Sequence, residues 1–233
     1  MLRSLLDLVY PRVCLSCARL LAPGQGELCA RCFEAIERAE PHVITRGPVS
    51  EVVALYVFEE QSPVRALLHT LKYGSVPSLA TRLGRALGEL VAERSIRADL
   101  VIPVPLSRRK HRERGFNQAN RIGVGVSAAT GIALGEGLVT RIRDTPSQTT
   151  LSAEERRENV RGAFSISPAG MKAVAGTTCL LIDDVVTTGA TVFECASVLR
   201  SAGASRVIAC AVAVAKRTAA RIDGAGPEQP RFP

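Results

Sequence analysis

Hydrophobic and polar residues follow two patterns along this chain, one typical of strands and one typical of amphipathic helices. Short apolar runs rich in β-branched residues predict strands at residues 100–105, 177–183 and 206–215. The alanines of the third run are also compatible with a helix. Apolar residues recur at helical spacing in three other segments, residues 62–73, 80–94 and 191–203. Strand, helix and strand therefore follow one another near the C-terminus, an order that predicts a βαβ unit in a parallel sheet.

The helix predicted over residues 191–203 has signals at both ends. Thr191-x-x-Glu194 is a capping-box pattern, and Gly203 is the residue type that commonly ends helices. In open parallel sheets, ligands bind at the carboxyl ends of the strands. The segment DDVVTTGAT, residues 183–191, falls at that position. It is therefore the first candidate for a binding site.

Composition divides the 233 residues into three parts. Residues 1–40 form a small module that begins with a predicted amphipathic helix and contains four of the seven cysteines. Residues 50–217 carry the alternating strands and helices and form the main domain. Residues 218–233 are rich in Gly and Pro, so we expect a flexible tail. No apolar run reaches the ~20 residues that a membrane span needs, and we expect no membrane insertion.

The clustered cysteines form two CxxC pairs, Cys14 with Cys17 and Cys29 with Cys32. Zn²⁺ prefers four ligands in a tetrahedron, and each CxxC turn offers two thiolates from one tight loop. The pattern predicts a structural zinc site, with redox-active pairs as the alternative. A disulfide scaffold would have denser and more regular cysteines, so we expect a cytoplasmic protein. The remaining three cysteines are expected in the core: Cys179, Cys195 and Cys210.

The segment at residues 183–191 combines two acids with a loop suited to an anion. The free N–H groups at a helix N-terminus attract an anion, Gly allows close backbone approach, and Thr hydroxyls add donors. Carboxylates only accept hydrogen bonds, so the two acids suit sugar hydroxyls, which donate. A ribose 5-phosphate satisfies both halves, whereas a plain capped loop between strand and helix is the alternative. The candidate site residues are Asp183, Asp184, Thr187, Thr188, Gly189, Ala190 and Thr191.

Several other site types are excluded or weakened. The chain has no Gly-Lys-Ser/Thr ending of a Walker A loop. The dinucleotide pattern has one weak match, Gly123-x-Gly125-x-x-Ala128, which follows no strand and is better explained as a small-residue helix face. Three histidines provide neither a His-rich metal centre nor an obvious triad. The net charge of +8 suits a nucleotide, a phosphorylated sugar or nucleic acid.

LLIDDVVTTGAT resembles the 5-phosphoribosyl 1-pyrophosphate (PRPP) binding motif of type I phosphoribosyltransferases. The rest of the chain resembles one branch of that superfamily, the ComF (competence protein F) family. Besides the double CxxC, the segments that carry this resemblance are LLHTLKYG, PVPLSRRKHRERGFNQA and SQTTLSAEERRENVRGAF. Together they cover nearly all of the chain before Arg217 in family order. The resemblance implies an α/β phosphoribosyltransferase fold, a Rossmann-like parallel sheet with helices on both faces, plus an N-terminal zinc ribbon.

The resemblance also implies a mechanism, in which a nucleophile displaces pyrophosphate from C1 of the ribose. The loop at residues 187–191 would hold the 5-phosphate, and Asp183 and Asp184 would hold ribose hydroxyls, with Mg²⁺ bridging pyrophosphate and ribose oxygens. The pyrophosphate loop and the hood that closes over PRPP are expected to involve Lys72, Ser107, Arg109, Arg114, Gln148, Arg156 and Asn159.

Three functional hypotheses remain open on the sequence. The first is a phosphoribosyltransferase whose acceptor cannot be identified, since no catalytic base stands out. The second is an accessory factor in DNA uptake that binds single-stranded DNA and works with a partner such as a helicase. The third is a PRPP-sensing regulator without turnover. The basic run at residues 108–114 fits the first two, although such a run is often a solvated loop, and Lys72 has the alternative of a snorkelling helix-end lysine.

Overall fold

The computed structural model describes residues 11–22, 24–40, 42–43, 47–74, 76–143 and 153–216. Its strands are β1 (His42–Val43), β2 (Glu51–Phe58), β3 (Leu100–Pro103), β4 (Ala133–Leu134), β5 (Val139–Arg141), β6 (Phe164–Ile166), β7 (Thr178–Val186) and β8 (Arg206–Ala215). Its helices are α1 (Ala30–Glu34), α2 (Pro63–Tyr73), α3 (Pro77–Glu93), α4 (Arg108–Arg114), α5 (Gln118–Thr130), α6 (Ala153–Val160), α7 (Pro168–Val174) and α8 (Ala190–Ser201). Within these ranges no helix has the length and apolar content needed to cross a membrane.

Six strands form one sheet in the order β1-β2-β8-β7-β3-β4. All neighbours are parallel except β1 and β2, and β5 pairs antiparallel with β6 in a separate small sheet. The predicted βαβ unit is β7, α8 and β8, with Leu180 opposite Ile208. The Ala-rich third run is a strand, so the helical alternative for it is wrong. The predicted parallel α/β fold is confirmed.

Helices cover both faces of the large sheet. Along β7, Leu180 and Ile182 pack with α2, α3 and α5, while Cys179 and Leu181 pack with α7 and α8. All four side chains are fully buried. A strand covered on both faces is apolar at consecutive positions, which explains the continuous run in the sequence. The three isolated cysteines of the main domain are core residues, as predicted.

Helices α3 and α5 approach each other closely through glycines. A Cβ atom at Gly125 would lie 2.2 Å from the Thr81 carbonyl oxygen, and one at Gly84 would lie 2.1 Å from the Ile122 carbonyl oxygen. Neither position can accept a side chain without separating the helices. The pattern around Gly125 is therefore a helix-packing face, as predicted, and not a dinucleotide fingerprint.

Two local expectations differ from the structure. The capping box predicted at Thr191 and Glu194 is wrong, because α8 begins one residue earlier with Gly189 as its N-cap, and the Glu194 carboxylate accepts a hydrogen bond from the Gly162 N–H. The physical reason is that the preceding loop ends in a left-handed residue, which only Gly adopts without cost. Residues 108–114 form α4 instead of a loop, with Ser107 as the N-cap.

Candidate functional site

The main cleft lies at the carboxyl ends of β3 and β7 and has a volume of about 460 Å³. We define it by its lining residues, which come from seven segments: Phe58 and Glu60, Lys72 and Tyr73, residues 104–106, Lys110 and Arg114, residues 117–119, Arg141, and residues 183–192. All seven predicted residues of the acid pair and the loop line this cleft. So do Lys72 and Arg114.

The acid pair lies within β7, two and three residues before its last residue, Val186. The Asp183 carboxylate accepts a hydrogen bond from the Asp184 N–H at 2.8 Å. Asp184 is buried, and one of its carboxylate oxygens lies 3.5 Å from the Lys72 Nζ atom. Lys72 thus compensates the charge of Asp184, whereas Asp183 forms no ion pair with a cation in the described part of the chain.

Unlike Asp184, Asp183 is not paired with Lys72, and its pKa is shifted. Burial, and after it the neighbouring charge of Asp184, raise the pKa of Asp183 from 3.8 to about 7. Lys72 acts in the opposite direction but does not cancel these two effects. Near neutral pH, Asp183 therefore changes between a protonated acid and a carboxylate that only accepts hydrogen bonds.

The loop after β7 ends at the N-terminus of α8. Gly189 has φ +76°, and a Cβ atom there would lie 2.4 Å from the Phe193 ring. Gly is thus required both for the backbone conformation and for the space. The following twelve-residue helix points its N-terminal N–H groups and the positive end of its dipole into the cleft.

Four cations come together around the same cleft: Lys72, Lys110, Arg114 and Arg141. Burial lowers the pKa of Lys110, and the charges of Arg141, Arg114 and Lys72 lower it further. The Arg114 guanidinium lies 5.6 Å from the centroid of the Tyr73 ring, which holds it at the cleft wall. The cleft therefore brings the acid pair and the loop after it together with four cations, one of which, Lys72, pairs with Asp184.

Sequence reasoning missed Lys110, Arg141 and Gln118. Lys110 was hidden in a run of seven polar residues, although its spacing of four from Arg114 places both on one face of α4. Arg141 carries no local signal. Gln118 is 2% exposed, and in the described part of the chain its Nε2 atom has no hydrogen-bond partner. A buried amide that lines a cleft and lacks an acceptor is suited to an oxygen atom of a ligand.

The other predicted site residues lie elsewhere or outside the described ranges. Ser107 is buried and caps α4 by accepting a hydrogen bond from the Lys110 N–H. Arg109 pairs with Glu113, and neither Ser107 nor Arg109 lines the main cleft. The Asn159 carbonyl oxygen accepts a hydrogen bond from Arg143. Gln148 and the side chain of Arg156 lie outside the described residues, so the roles of these hood residues stay predictions.

The four N-terminal cysteines form a second site. Their Sγ atoms all lie within 4.8 Å of one another, and those of Cys17 and Cys29 are 3.8 Å apart. A tetrahedron with Zn–S bonds of ~2.3 Å has an S–S edge of about 3.8 Å. Burial, and then the adjacent thiols, raise the pKa of Cys32 to about 12. At Cys14 burial acts in the same direction, but hydrogen bonds to the backbone of Cys29, Cys17 and Ser16 outweigh it and lower the pKa to about 6. The arrangement fits a tetrahedral metal ion.

Comparisons with known proteins relate the chain to phosphoribosyl transferase domains and to two bacterial proteins. Residues 106–225 match the sequence profile of the phosphoribosyl transferase domain. DNA utilization protein YhgH of Salmonella typhimurium is 32% identical over 221 residues, which cover 86% of this chain and 96% of that protein. Competence protein F of Haemophilus influenzae is 31% identical over 160 residues, 69% of this chain and 65% of that protein. The solved structure of the allosteric regulatory enzyme of purine biosynthesis superposes with a TM-score of 0.41 at 24% identity, over 61% of this chain and 29% of that one.

The parallel sheet and the matched segment define a phosphoribosyltransferase-domain protein. The four-cysteine cluster lies in front of this domain in the chain. The chain belongs to the family of DNA utilization protein YhgH and competence protein F, and the family predicted from the sequence is confirmed.

Proposed function

We propose that the main cleft binds PRPP together with Mg²⁺, and that the protein transfers or senses a phosphoribosyl group in a process of DNA utilization. The observation that carries this proposal is that one cleft is lined by an acid pair, a helix N-terminus and four cations. The biological process comes from the names of the relatives, DNA utilization protein and competence protein.

Each chemical group of PRPP has a counterpart in this cleft. The 5-phosphate suits the N–H groups at the start of α8, and the ribose hydroxyls suit the carboxylates of Asp183 and Asp184. The pyrophosphate suits Lys110 and Arg114, with the Gln118 amide as a further donor. The carboxylate oxygens are also ligands that Mg²⁺ accepts, and a bound ion would neutralise the leaving pyrophosphate as a Lewis acid.

The residues of the chain would lower the barrier to pyrophosphate departure in two ways. Positive charge develops at C1 as the bond to pyrophosphate breaks, and the nearby carboxylate of Asp183 favours that charge once it is ionised. Lys110 and Arg114 hold the negative charge that accumulates on the departing group. Because both sets of charges are fixed in place before the reaction, little reorganisation is needed.

Titration calorimetry with PRPP in the presence of Mg²⁺ tests the proposal. We expect saturable binding that is at least about tenfold tighter than that of ribose 5-phosphate or of pyrophosphate, because PRPP alone occupies both ends of the cleft. Equal affinity for PRPP and either half would contradict the two-ended arrangement. Release of pyrophosphate in the presence of an acceptor then separates transfer from sensing, since a sensor binds PRPP without turnover.

A second candidate function is the binding of single-stranded DNA. Helix α4 exposes Arg108, Arg109 and Arg112, while Lys110 and Arg114 of the same helix line the main cleft. Cations of this kind bind phosphates without reading sequence. If three or four phosphates are contacted, the affinity for a poly-dT oligonucleotide should fall by about tenfold between 50 and 150 mM salt, which a fluorescence-anisotropy titration measures. Affinity that does not change with salt would exclude this mode of binding.

We also propose that the cysteine cluster holds one structural Zn²⁺. The four thiolates would supply a closed tetrahedron, which is the arrangement of structural zinc sites, and none would be left open for chemistry. Cys14 and Cys29 are buried and pack in the same core as α2 and α3. The ion would thus fix the module against the helix that carries Lys72.

A further inference from the structure

A second cavity adjoins the main cleft and is assigned no role by the proposed function. This side pocket, about 630 Å³ in volume, is lined by residues 105–106, Arg108 and residues 139–142. Pro105, Leu106 and Arg141 line both cavities, so the two spaces meet along the segment after β3. Its volume is within the range of small-molecule sites.

The wall of the side pocket combines positive charge with apolar surface. Its charged residues are Arg108 and Arg141, and no acidic residue is among those that line it. The main cleft differs in this respect, because it contains the acid pair and Glu60 as well as cations. An anion is therefore favoured in the side pocket without a competing repulsion.

The apolar part of the wall consists of Leu106, Val139 and Ile142. Ile142 is 66% exposed. An apolar ligand surface would cover part of it. Guanidinium groups bind carboxylates through paired hydrogen bonds and also stack on flat rings, so the same two arginines suit a planar ligand that carries a carboxylate.

We propose that the side pocket binds the acceptor of the phosphoribosyl group, and that this acceptor is a small aromatic or heteroaromatic carboxylate with a nucleophilic nitrogen. This inference rests on the proposed function, because it takes PRPP as the occupant of the main cleft. Arg108 is the specificity-determining residue: it lines the side pocket, does not line the main cleft, and faces the acceptor's carboxylate.

The reaction balances without any additional reactant. The lone pair of the acceptor nitrogen forms the new bond to C1 of the ribose. The C1–O bond to pyrophosphate breaks, and its electron pair leaves on the pyrophosphate. Where the attacking nitrogen carries a proton, that proton passes to solvent after the bond has formed. No base is required for this step, which agrees with the absence of a histidine among the residues that line either cavity.

Arg109 provides a matched control for Arg108. The two arginines are neighbours on α4, and both are exposed. Arg109 pairs with Glu113 at 3.8 Å and lines neither cavity. Replacing each in turn by Gln removes the same charge from the same helix, so only the position of the charge differs.

The test is a set of calorimetric titrations with matched probes. The carboxylates are 2-aminobenzoate and pyridine-3-carboxylate, and their uncharged counterparts are aniline and pyridine-3-carboxamide. Each is titrated into the protein with and without PRPP and Mg²⁺. We expect at least one carboxylate to bind at least about tenfold more tightly than its counterpart, because a charge-assisted contact to Arg108 is lost in the latter.

The variants decide where that preference arises. Arg108→Gln should reduce the affinity for the carboxylate by about tenfold or more and leave the affinity for PRPP unchanged, whereas Arg109→Gln should change neither. Tighter binding of the uncharged probes, or equal effects of the two variants, would overturn the proposal. Failure of PRPP itself to bind would overturn the proposed function, and the titrations without PRPP would still measure the carboxylate preference of the side pocket.

Discussion

Asparagine at both positions of the acid pair, Asp183→Asn/Asp184→Asn, should weaken the binding of PRPP with Mg²⁺ by about 100-fold or more. Each charged hydrogen bond to a ligand contributes ~1.5–3 kcal/mol, so losing two of them accounts for this effect. The amides also lose the negative charge that attracts Mg²⁺. Titration calorimetry of the wild type and the variant under identical conditions measures the change.

The pH dependence of PRPP binding distinguishes the two acids. Because the pKa of Asp183 is raised to about 7, its carboxylate forms as the pH rises from 6 to 8, and PRPP affinity should increase over that interval. The single variant Asp183→Asn should remove this increase. An increase that persists in Asp183→Asn would show that another group controls binding.

The folding stability of the wild type should fall over the pH interval in which its PRPP affinity rises. A binding defect can therefore be distinguished from unfolding. The folded-state pKa of Asp183 lies above its ordinary value of 3.8, so the folded protein holds the proton more tightly than the unfolded chain does. Its contribution to stability is complete below about pH 4 and is lost as the pH rises through 7. We therefore expect the thermal unfolding temperature of Asp183→Asn, relative to the wild type, to increase between pH 5 and pH 8.

Equal PRPP affinity in the wild type and the double variant Asp183→Asn/Asp184→Asn would contradict the proposed function.

Removal of the metal from the cysteine cluster should have the largest effect on stability. Apparent binding energies of structural zinc sites are about 10–16 kcal/mol near pH 7, and most of this free energy is available to folding. Without the ion, four close thiols cannot ionise together, and the buried Cys14 and Cys29 lose the contact that fixes them. We expect a chelator to release about one zinc per chain and to make the first forty residues sensitive to protease.

The substitution Cys17→Ser reproduces this loss without a chelator. Cys17 is exposed, so the replacement creates no cavity and acts through the lost metal ligand. Ala30→Ser, in the second CxxC turn, introduces the same hydroxyl without removing a thiolate and should retain zinc and stability. Elemental analysis and thermal unfolding measure both variants. Wild-type stability and protease resistance in metal-free protein would contradict a structural role.

The elements that the sequence predicted well are those governed by local pattern. Strand β7 was identified from a continuous apolar run and helix α8 from apolar residues at helical spacing, because burial on both faces of a sheet or on one face of a helix leaves a regular pattern along the chain. The acid pair and the loop were identified because their residue types match one ligand at adjacent positions. The cysteine cluster was identified because the spacing within each pair already places two thiolates together.

Predictions from the sequence failed or were missing where a residue's role depends on contacts with residues far away in the chain. Glu194 was expected to cap its own helix, but its carboxylate binds the backbone of Gly162. Arg141 reaches the acid pair's cleft from the small β5-β6 sheet, and no pattern around it indicates a ligand. Gln118 differs from other polar residues only by its burial without a partner, which becomes visible after folding.

The sequence by itself therefore predicted the parallel α/β architecture and the family, and it identified the acid pair, the loop that follows it and the cysteines that form one cluster. The tertiary structure alone decided which cations line the cleft together with that pair, how Lys72 compensates Asp184 while Asp183 keeps a raised pKa, and that a second cavity adjoins the first. The physical reason is that hydrophobic periodicity and short motifs act between neighbours in the chain, whereas electrostatic fields and cavities depend on distances in space.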